Sequence, residues 1–504
     1  MKIDTKIYPM STTIQHAKTY WLVCLYLGAS SIGTSQDLII PEPSLQRAIA
    51  STLGVAEKDL SKSLVESSLT RLQANDFAIR DLSGLEHAKN LESLVLRDNL
   101  IDDLTPIQNL SKLKNLDLSG NRLEDLVSLA PLSGIAKKSS ETSSFAETNL
   151  SANGNQKGSY SVLRVLNLSR NRLLGLSGIE HFRSLAQLDV SGNSLIDLEG
   201  VGKLKRLVNL YAQENQLGRI EPYVDRNRNK VFDEGEPFSD SSGNGKRDVD
   251  PLVELQDLPS LAALHLYNNR ISITSKLNNL PVLKSLLLSG NLITSPRFLA
   301  KFKTLNILSL GNNRIYNLEG LSELQNLQRL NLSENQICDI RILRDLKNLT
   351  VLDLNSNILN DVSGLSGLSK IETLGLSRNL IFDPSPVFSL PKLRRISISF
   401  NQIQFEKANI RDLLKQTEAR GVYLNTRDQM EHRSKAQSLV YSLIGHSDSN
   451  QLLGEYLRKN GFPRLIDVLL SENLDPGKVD SSLESWEHAL TFNKPLDSII
   501  FPGK

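Results

Sequence analysis

Asparagines recur along this chain at a fixed interval, and that interval is the feature that most constrains its fold. They are Asn99, Asn121, Asn171, Asn193, Asn215, Asn269, Asn291, Asn313, Asn335, Asn357, Asn379 and Asn401. Nine of the eleven intervals are 22 residues, and the other two, 50 and 54 residues, exceed it by 28 and 32. A fixed period of this length is typical of a solenoid, in which each repeat is one structural unit stacked on its neighbours. The chain is therefore predicted to be a stack of similar units.

Each asparagine stands in a frame of apolar positions, L-x-x-L-x-L-x-x-N-x-[IL], as in Leu113, Leu116, Leu118, Asn121 and Leu123. The frame predicts one short strand per repeat, over positions one to seven, with successive strands parallel. Positions one, four and six are predicted to point into the core, and positions three, five and seven to emerge on the concave face. A second apolar set, such as Leu104, Ile107 and Leu110, is predicted to form turns and short helical pieces on the convex side.

The flanks of the repeats indicate caps, which a solenoid needs to cover its apolar ends. Residues 67–405 carry the repeats, and the first, from Leu69 to Asn90, has Phe77 in place of the asparagine. Before it, residues 34–66 predict a helical cap that begins near Pro43. After it, residues 406–425 predict a helix that ends near Gly421 and a last strand. Residues 426–504 have helical apolar spacing and predict a small helical tail with no identifiable task.

The amino terminus has the pattern of an export signal. Lys18 precedes a short apolar run from Tyr20 to Leu27, and small residues follow between Gly28 and Gly33. This run is too short for a membrane span, which needs about 20 apolar residues, but it fits a signal peptide. Residues 1–33 are therefore predicted to be a signal peptide, with an uncleaved anchor as the alternative. The protein is expected to be secreted, periplasmic or at the cell surface, with no integral membrane segment after signal removal.

Composition excludes several classes of function. The chain has 58 basic and 56 acidic residues, so its formal net charge of +2 gives no basis for predicting a nucleic-acid partner. Its two cysteines are Cys24 and Cys338. Cys24 lies within the predicted signal peptide, so no intramolecular disulfide is expected in the mature chain. The histidines are scattered, and no zinc, phosphate-loop or nucleophile motif is present. We therefore expect no enzymatic activity and no catalytic residues.

The two long intervals mark insertions at residues 135–161 and 221–250. The first is rich in Ser, Thr, Asn and Gly and is not expected to bury a core. The second carries oxygen-bearing side chains at alternate positions, the arrangement that a hard cation such as Ca²⁺ requires: Asp225, Asn227, Asn229, Asp233 and Glu236, followed by Asp240, Ser242, Asn244 and Asp248. We predict that these residues bind Ca²⁺, with an acidic solvated loop as the alternative.

The match to an EF-hand-type loop is partial. The first run has ligand types at positions 1, 3, 5, 9 and 12, but Lys230 replaces the usual glycine at position 6. The second has Gly245 at that position but ends in Pro251 instead of a glutamate. The predicted role of the ion is to order the insertion.

One group of concave positions stands out because it is aromatic and apolar. Its members are Tyr211, His265, Tyr267, Leu287 and Ile307. Tyrosine combines a large contact area with a polar group and is enriched at binding hot spots. We therefore predict that this group, called the aromatic patch below, binds a partner, and that the second insertion could border it. The alternative is that the tyrosines and the histidine only pack across strands.

The frame and its spacing resemble the 22-residue leucine-rich repeat class of bacterial internalin-like surface proteins and of eukaryotic phosphatase regulatory subunits. The segment Ile40-Pro41-Glu42-Pro43-Ser44-Leu45 also resembles the entry to bacterial extracellular members. This resemblance covers residues 36–425 and implies an α/β leucine-rich repeat solenoid, a right-handed horseshoe with a parallel sheet on its concave face. It further implies a protein or other macromolecular partner. We identify no immunoglobulin-like module and no wall anchor of the kind that internalins usually have, so the resemblance predicts a binding scaffold and not specifically an adhesion role.

We thus expect a non-catalytic exported scaffold that binds a macromolecule on its concave face and carries a calcium-binding insertion. Two alternatives stay open at this point. The first is an intracellular scaffold of the phosphatase-regulator type. The second is an enzyme whose activity resides in the helical tail.

Overall fold

The computed structural model describes residues 38–129, 162–218, 223–227, 233, 235–239, 251–272, 277–427 and 429. The predicted signal peptide at 1–33 and the first insertion at 135–161 lie outside the described residues. So do the second calcium loop and all but the first residues of the tail at 426–504.

A single parallel sheet of fourteen strands, arranged in chain order, forms one face of the described residues. The strands are β1 Arg71–Gln73, β2 Ser93–Val95, β3 Asn115–Asp117, β4 Val165–Asn167, β5 Gln187–Asp189, β6 Asn209–Tyr211, β7 Ala263–His265, β8 Ser285–Leu287, β9 Ile307–Ser309, β10 Arg329–Asn331, β11 Val351–Asp353, β12 Thr373–Gly375, β13 Arg395–Ser397 and β14 Tyr423–Asn425. Residues at the same frame position of neighbouring repeats pair with each other throughout the sheet, including across both insertions. The predicted leucine-rich repeat solenoid is confirmed.

The regular strands are shorter than the sequence predicts. Each covers frame positions three to five, three residues, instead of positions one to seven. Ladder hydrogen bonds continue beyond the strand, since the N–H groups of Leu96 and Asp98 donate to the carbonyls of Asp117 and Ser119, both at 2.8 Å. The strand ends early because position eight turns to a positive φ, 54° at Asp98, which interrupts the extended backbone.

The core runs the length of the solenoid and consists of the frame leucines. Leu94, Leu116, Leu286 and Leu308, for example, are 0–1% exposed, whereas the residues before and after each of these leucines are more accessible, with Asp117 the exception. The convex side carries short 3-10 helices, as predicted from its turn-forming residues. They are Leu85–His87, Thr105–Ile107, Ile179–His181, Val201–Lys203, Pro251–Leu255, Arg297–Lys301, Leu321–Glu323, Arg341–Asp345 and Ser363–Leu365, and a further one, Glu57–Asp59, lies in the amino-terminal cap.

The ladder asparagines connect neighbouring repeats. Asn291 is 4% exposed, and its Oδ1 accepts a hydrogen bond at 3.0 Å from the N–H of Ile271 in the preceding repeat. Its Nδ2 donates to Leu266 O, also in the preceding repeat, and to Leu288 O, at 2.9 and 3.0 Å. These bonds satisfy backbone groups that lack partners within a sheet ladder. The ladder asparagines therefore have a structural role.

Both ends of the core are covered. At the start, helix α1 (Pro43–Leu53) packs against β1 with Leu45 and Ile49 fully buried, and helix α2 (Lys62–Ser68) follows. At the far end, a short helix α3 (Ser385–Phe388) precedes β13, and helix α4 (Ala408–Ala419) precedes β14. Gly421, with φ of 77°, reverses the chain between α4 and β14. The predicted helix near Gly421 and the last strand are both present.

Candidate binding surface on the concave sheet

The aromatic patch lies on four consecutive strands, β6 to β9. Register pairing places Tyr211 beside His265, His265 beside Leu287, and Leu287 beside Ser309. Tyr267 lies two residues beyond His265 on the same face, because side chains alternate along a strand. All of the patch residues are partly exposed. The solenoid therefore brings together side chains that are up to 96 residues apart in sequence.

Ile307 lies at the margin of this group. It pairs in register with Ser285, so it occupies the row two residues before that of Leu287 and His265. On β9, the residue in the same row as Leu287 and His265 is Ser309, and its Oγ is 2.7 Å from the Oγ of Ser289. The apolar part of the patch thus ends at Leu287 and reaches Ile307 only along a diagonal.

Tyr211 and His265 contact each other edge to face. Their ring centroids are 4.9 Å apart and their planes lie at 75°. Such pairs stabilise adjacent strands by about 0.5–1.5 kcal/mol beyond their burial. The cross-strand packing that the alternative interpretation required is therefore present, but it leaves both rings partly exposed and so available to a partner.

Electrostatics distinguish this part of the sheet. Burial lowers the pKa of His265, while the Asp189 carboxylate acts in the opposite direction. Burial also raises the pKa of Tyr267, and the carboxylates of Glu214 and Asp189 raise it further, whereas a hydrogen bond with Gln213 lowers it. The patch therefore presents neutral rings beside two carboxylates.

Three polar residues around the patch were not identified as site residues from the sequence. Asp189 precedes Tyr211 in the same row, and Glu214 lies three residues beyond Tyr211, where its N–H donates to Tyr267 O at 3.0 Å. The Oε1 atom of Gln213 is buried without a hydrogen-bond partner among the described residues. Aligning all outward frame positions, including seven and eight, would have revealed the group, because neighbouring strands have the same register.

The described part of the second insertion forms a small hairpin-like turn. Tyr223 and Phe238 form an antiparallel bridge, and Val224 N donates to Pro237 O at 2.8 Å. Glu236 is 8% exposed, and its two carboxylate oxygens accept backbone N–H groups, Oε1 from Arg226 at 2.8 Å and Oε2 from Asp233 at 3.0 Å.

Of the predicted calcium ligands, Asp225, Asn227, Asp233 and Glu236 are described. Asn227 Nδ2 donates to Asp233 Oδ2, so two of them are adjacent. Asn229 and all of the second set, Asp240, Ser242, Asn244 and Asp248, lie outside the described residues. Within the described residues, no group of three or more His, Cys, Asp or Glu side chains is arranged to hold a metal ion. The four described residues supply only oxygen ligands, which suits Ca²⁺.

A cleft of about 440 Å³ on the convex side is lined by Tyr316, Ser322, Asp339 and Arg341 among others. Its charges are paired, since Arg341 Nε lies 3.0 Å from both carboxylate oxygens of Asp339. No histidine or cysteine lines it.

Comparison with known proteins agrees with this fold. A family model described as leucine-rich repeats (2 copies) matches residues 89–132 and 325–367. A search of curated protein sequences finds no match. Among solved structures, an internalin (InlF) from Listeria monocytogenes is 25% identical over 78% of this chain and 97% of its own, with a TM-score of 0.61.

A leucine-rich repeat protein of Leptospira interrogans is 24% identical over 72% of this chain and 85% of its own, with a TM-score of 0.52. At this identity the likeness concerns the fold alone. No helix among the described residues is long and apolar enough to span a membrane. The chain is a leucine-rich repeat solenoid, similar in structure to internalins and to other leucine-rich repeat proteins.

Proposed function

We propose that this protein is an exported, non-catalytic scaffold that binds a protein or other macromolecule on its concave sheet. The observation that carries the proposal is the aromatic patch itself. Tyr211, His265, Tyr267 and Leu287 are contiguous and partly exposed, whereas the same sheet positions farther along are mostly serine, asparagine and glycine. Exposed aromatic clusters of this kind are typical of interface hot spots, where tyrosine is enriched.

Export and calcium binding belong to the same proposal. Export rests on the signal-like residues 1–33 and on similarity to an internalin. Calcium binding rests on the alternating oxygen ligands of the second insertion, which starts shortly after β6 and ends shortly before β7, the strands that carry Tyr211 and His265. Millimolar extracellular calcium would fill even weak sites of this type. We assign the ion an ordering role beside the patch.

The test compares capture of binding partners by the full-length protein and by matched tyrosine variants. Tyr211→Ala combined with Tyr267→Ala removes the patch rings, whereas Tyr423→Ala removes an exposed tyrosine from β14 of the same sheet. Each hot-spot tyrosine typically contributes more than about 1 kcal/mol, so the double variant should bind at least tenfold more weakly.

The variants are immobilised, and the proteins retained from host or envelope extracts are quantified by mass spectrometry. The expected result is a set of proteins retained by the wild type and by Tyr423→Ala but lost from the double variant. Equal melting temperatures of the variants exclude unfolding as the cause. An unchanged set on the double variant would show that binding does not use this face.

A further inference from the structure

The outward positions of β5 to β8 have an unusual charge pattern. At frame positions three, five, seven and eight of these repeats, the only formally charged residues are Asp189 and Glu214. Lys284 immediately precedes β8 at position two, so it is about five residues, or about 16 Å, along the strand direction from the row of Tyr267. At these outward positions the aromatic patch is therefore bordered only by negative charge, and the nearest arginine in its own repeat, Arg270, lies three residues beyond Tyr267 at position ten.

The charge of Asp189 is not required by the local turn. Asp189 Oδ1 accepts hydrogen bonds from Ser191 N at 3.0 Å and from Ser191 Oγ at 2.6 Å. At the same frame position, neutral Asn167 accepts the same two bonds from Ser169, at 3.0 and 2.8 Å. An uncharged amide oxygen thus accepts the same two hydrogen bonds in this turn, so the turn does not require the negative charge of Asp189.

Glu214 likewise has no ion-pair partner among the described residues. Two acidic residues nearer the start of the concave side are neutralised, since Asp98 pairs with Arg170 at 2.9 Å and Asp117 with Arg97 at 2.7 Å. Neither Glu214 nor Asp189 forms an ion pair with any described residue. Burial raises the pKa of the Tyr267 phenol, and both carboxylates raise it further, as expected of charges near that ring.

We propose that Asp189, Glu214 and the rings of Tyr211, His265 and Tyr267 form an anchor for a lysine or arginine side chain of a protein partner. This inference rests on the proposed function and specifies the partner's chemistry. A cation is attracted both to the carboxylates and to the negative faces of tyrosine rings. Leu287, next in the row, supplies an apolar surface for the methylene stem that carries such a charge. Two carboxylates without an ion-pair partner among the described residues, beside aromatic rings, are complementary to a basic side chain and repel an acidic one.

The probe is a set of four fluorescein-labelled nonapeptide pools that differ only in a fixed central residue, Lys, Arg, Gln or Glu, with flanks randomised over Gly, Ser, Tyr and Leu. Binding to the full-length protein is followed by fluorescence anisotropy at low and physiological salt. We expect the Lys and Arg pools to bind about tenfold more tightly than the Gln pool, and the Glu pool more weakly still. The difference should shrink as salt rises.

The double variant Asp189→Asn and Glu214→Gln should remove the preference for basic pools. The matched control is Asp353→Asn with Glu334→Gln, because Asp353 and Glu334 occupy the same two frame positions on later repeats. This control should retain the preference. Equal binding of all four pools, no measurable binding of the Lys pool, or an equal loss of preference in the control pair would overturn the inference.

Failure of this inference can be separated from failure of the proposed function. Tyr211→Ala with Tyr267→Ala is measured against every pool. If binding depends on the tyrosines but not on the central residue, the concave binding face stands and only the cation anchor is wrong. If binding of every pool is independent of the tyrosines, both proposals fail.

Discussion

Replacing a single ladder asparagine should destabilise the solenoid more than any exposed asparagine does, and Asn335 allows the magnitude to be worked out. It is 2% exposed, and its Oδ1 accepts the N–H of Ile315 at 2.9 Å. Its Nδ2 donates to Leu310 O, Leu332 O and Ser333 O at 2.9, 3.1 and 3.0 Å. Alanine removes all four bonds without removing the backbone groups.

The four lost hydrogen bonds do not cost the same free energy. Each of the three carbonyls keeps another donor: Leu310 O accepts Asn313 Nδ2 at 3.0 Å, Leu332 O accepts Asn357 Nδ2 at 2.9 Å, and Ser333 O accepts Asn312 N at 2.8 Å. Ile315 N–H has no second partner among the described residues, and an unpaired buried donor costs about 1–3 kcal/mol. Adding about one net hydrogen bond for the three donated contacts gives a loss of roughly 2–4 kcal/mol for Asn335→Ala.

The control is Asn348→Ala. Asn348 also donates to a carbonyl of the preceding repeat, Gln325 O at 2.8 Å, but it does so in solvent, where water replaces the bond. We expect a loss of less than about 1 kcal/mol there. Asn335→Asp should cost more than alanine at neutral pH, because a carboxylate would face three carbonyl oxygens. Urea unfolding followed by circular dichroism measures all three. Equal losses for Asn335→Ala and Asn348→Ala would refute the reasoning.

Further predictions concern the core, the insertion and the patch histidine. Leu286→Ala should lower the free energy of unfolding by about 2–5 kcal/mol, whereas Leu174→Ala, 62% exposed, should change it little in the same urea assay. Calcium should raise the melting temperature, and the double variant Asp225→Ala with Asp240→Ala should abolish that rise, as measured by calorimetry with and without a chelator. An unchanged rise in the double variant would exclude the calcium site. Because the pKa of His265 lies below its ordinary value of 6.5, the unfolded chain takes up this proton first as pH falls. Stability should therefore drop below about pH 6.5, and His265→Asn should reduce that part of the drop in melting temperature.

The period of the sequence was sufficient to predict the architecture, because each repeat contacts only its neighbours and pairs with them at equivalent frame positions. That argument also predicted that Leu94 and its equivalents are buried, and that position five of each strand faces outward. It overestimated strand length, since it did not include the positive φ at position eight, which requires the turn geometry. Local spacing therefore predicts which face a residue occupies better than it predicts where a strand ends.

The candidate site was only partly predictable, for a physical reason. Tyr211 and His265 were identified because they share a frame position, and register alone places them side by side. Gln213 and Glu214 contact this group through positions seven and eight of a neighbouring strand, where the backbone leaves the extended conformation. Glu236 has contacts that its spacing alone does not predict. Its spacing predicts a metal ligand, and the fold adds what spacing does not show, namely that a backbone N–H group of the turn donates to each of its oxygens and leaves one further acceptor site on each.

The second insertion illustrates how a solenoid can acquire a specialised segment without losing its register. It lengthens the connection between equivalent positions from 22 to 54 residues, yet Tyr211 and His265 remain paired. The added loop-closure entropy, about (3/2)RT ln(54/22), amounts to only about 0.8 kcal/mol. This is less than the roughly 2–4 kcal/mol that we derive for one buried ladder asparagine. A longer connection therefore costs little free energy, whereas the loss of a ladder contact costs more. The insertion can vary in length while the asparagines maintain the sheet on either side of it.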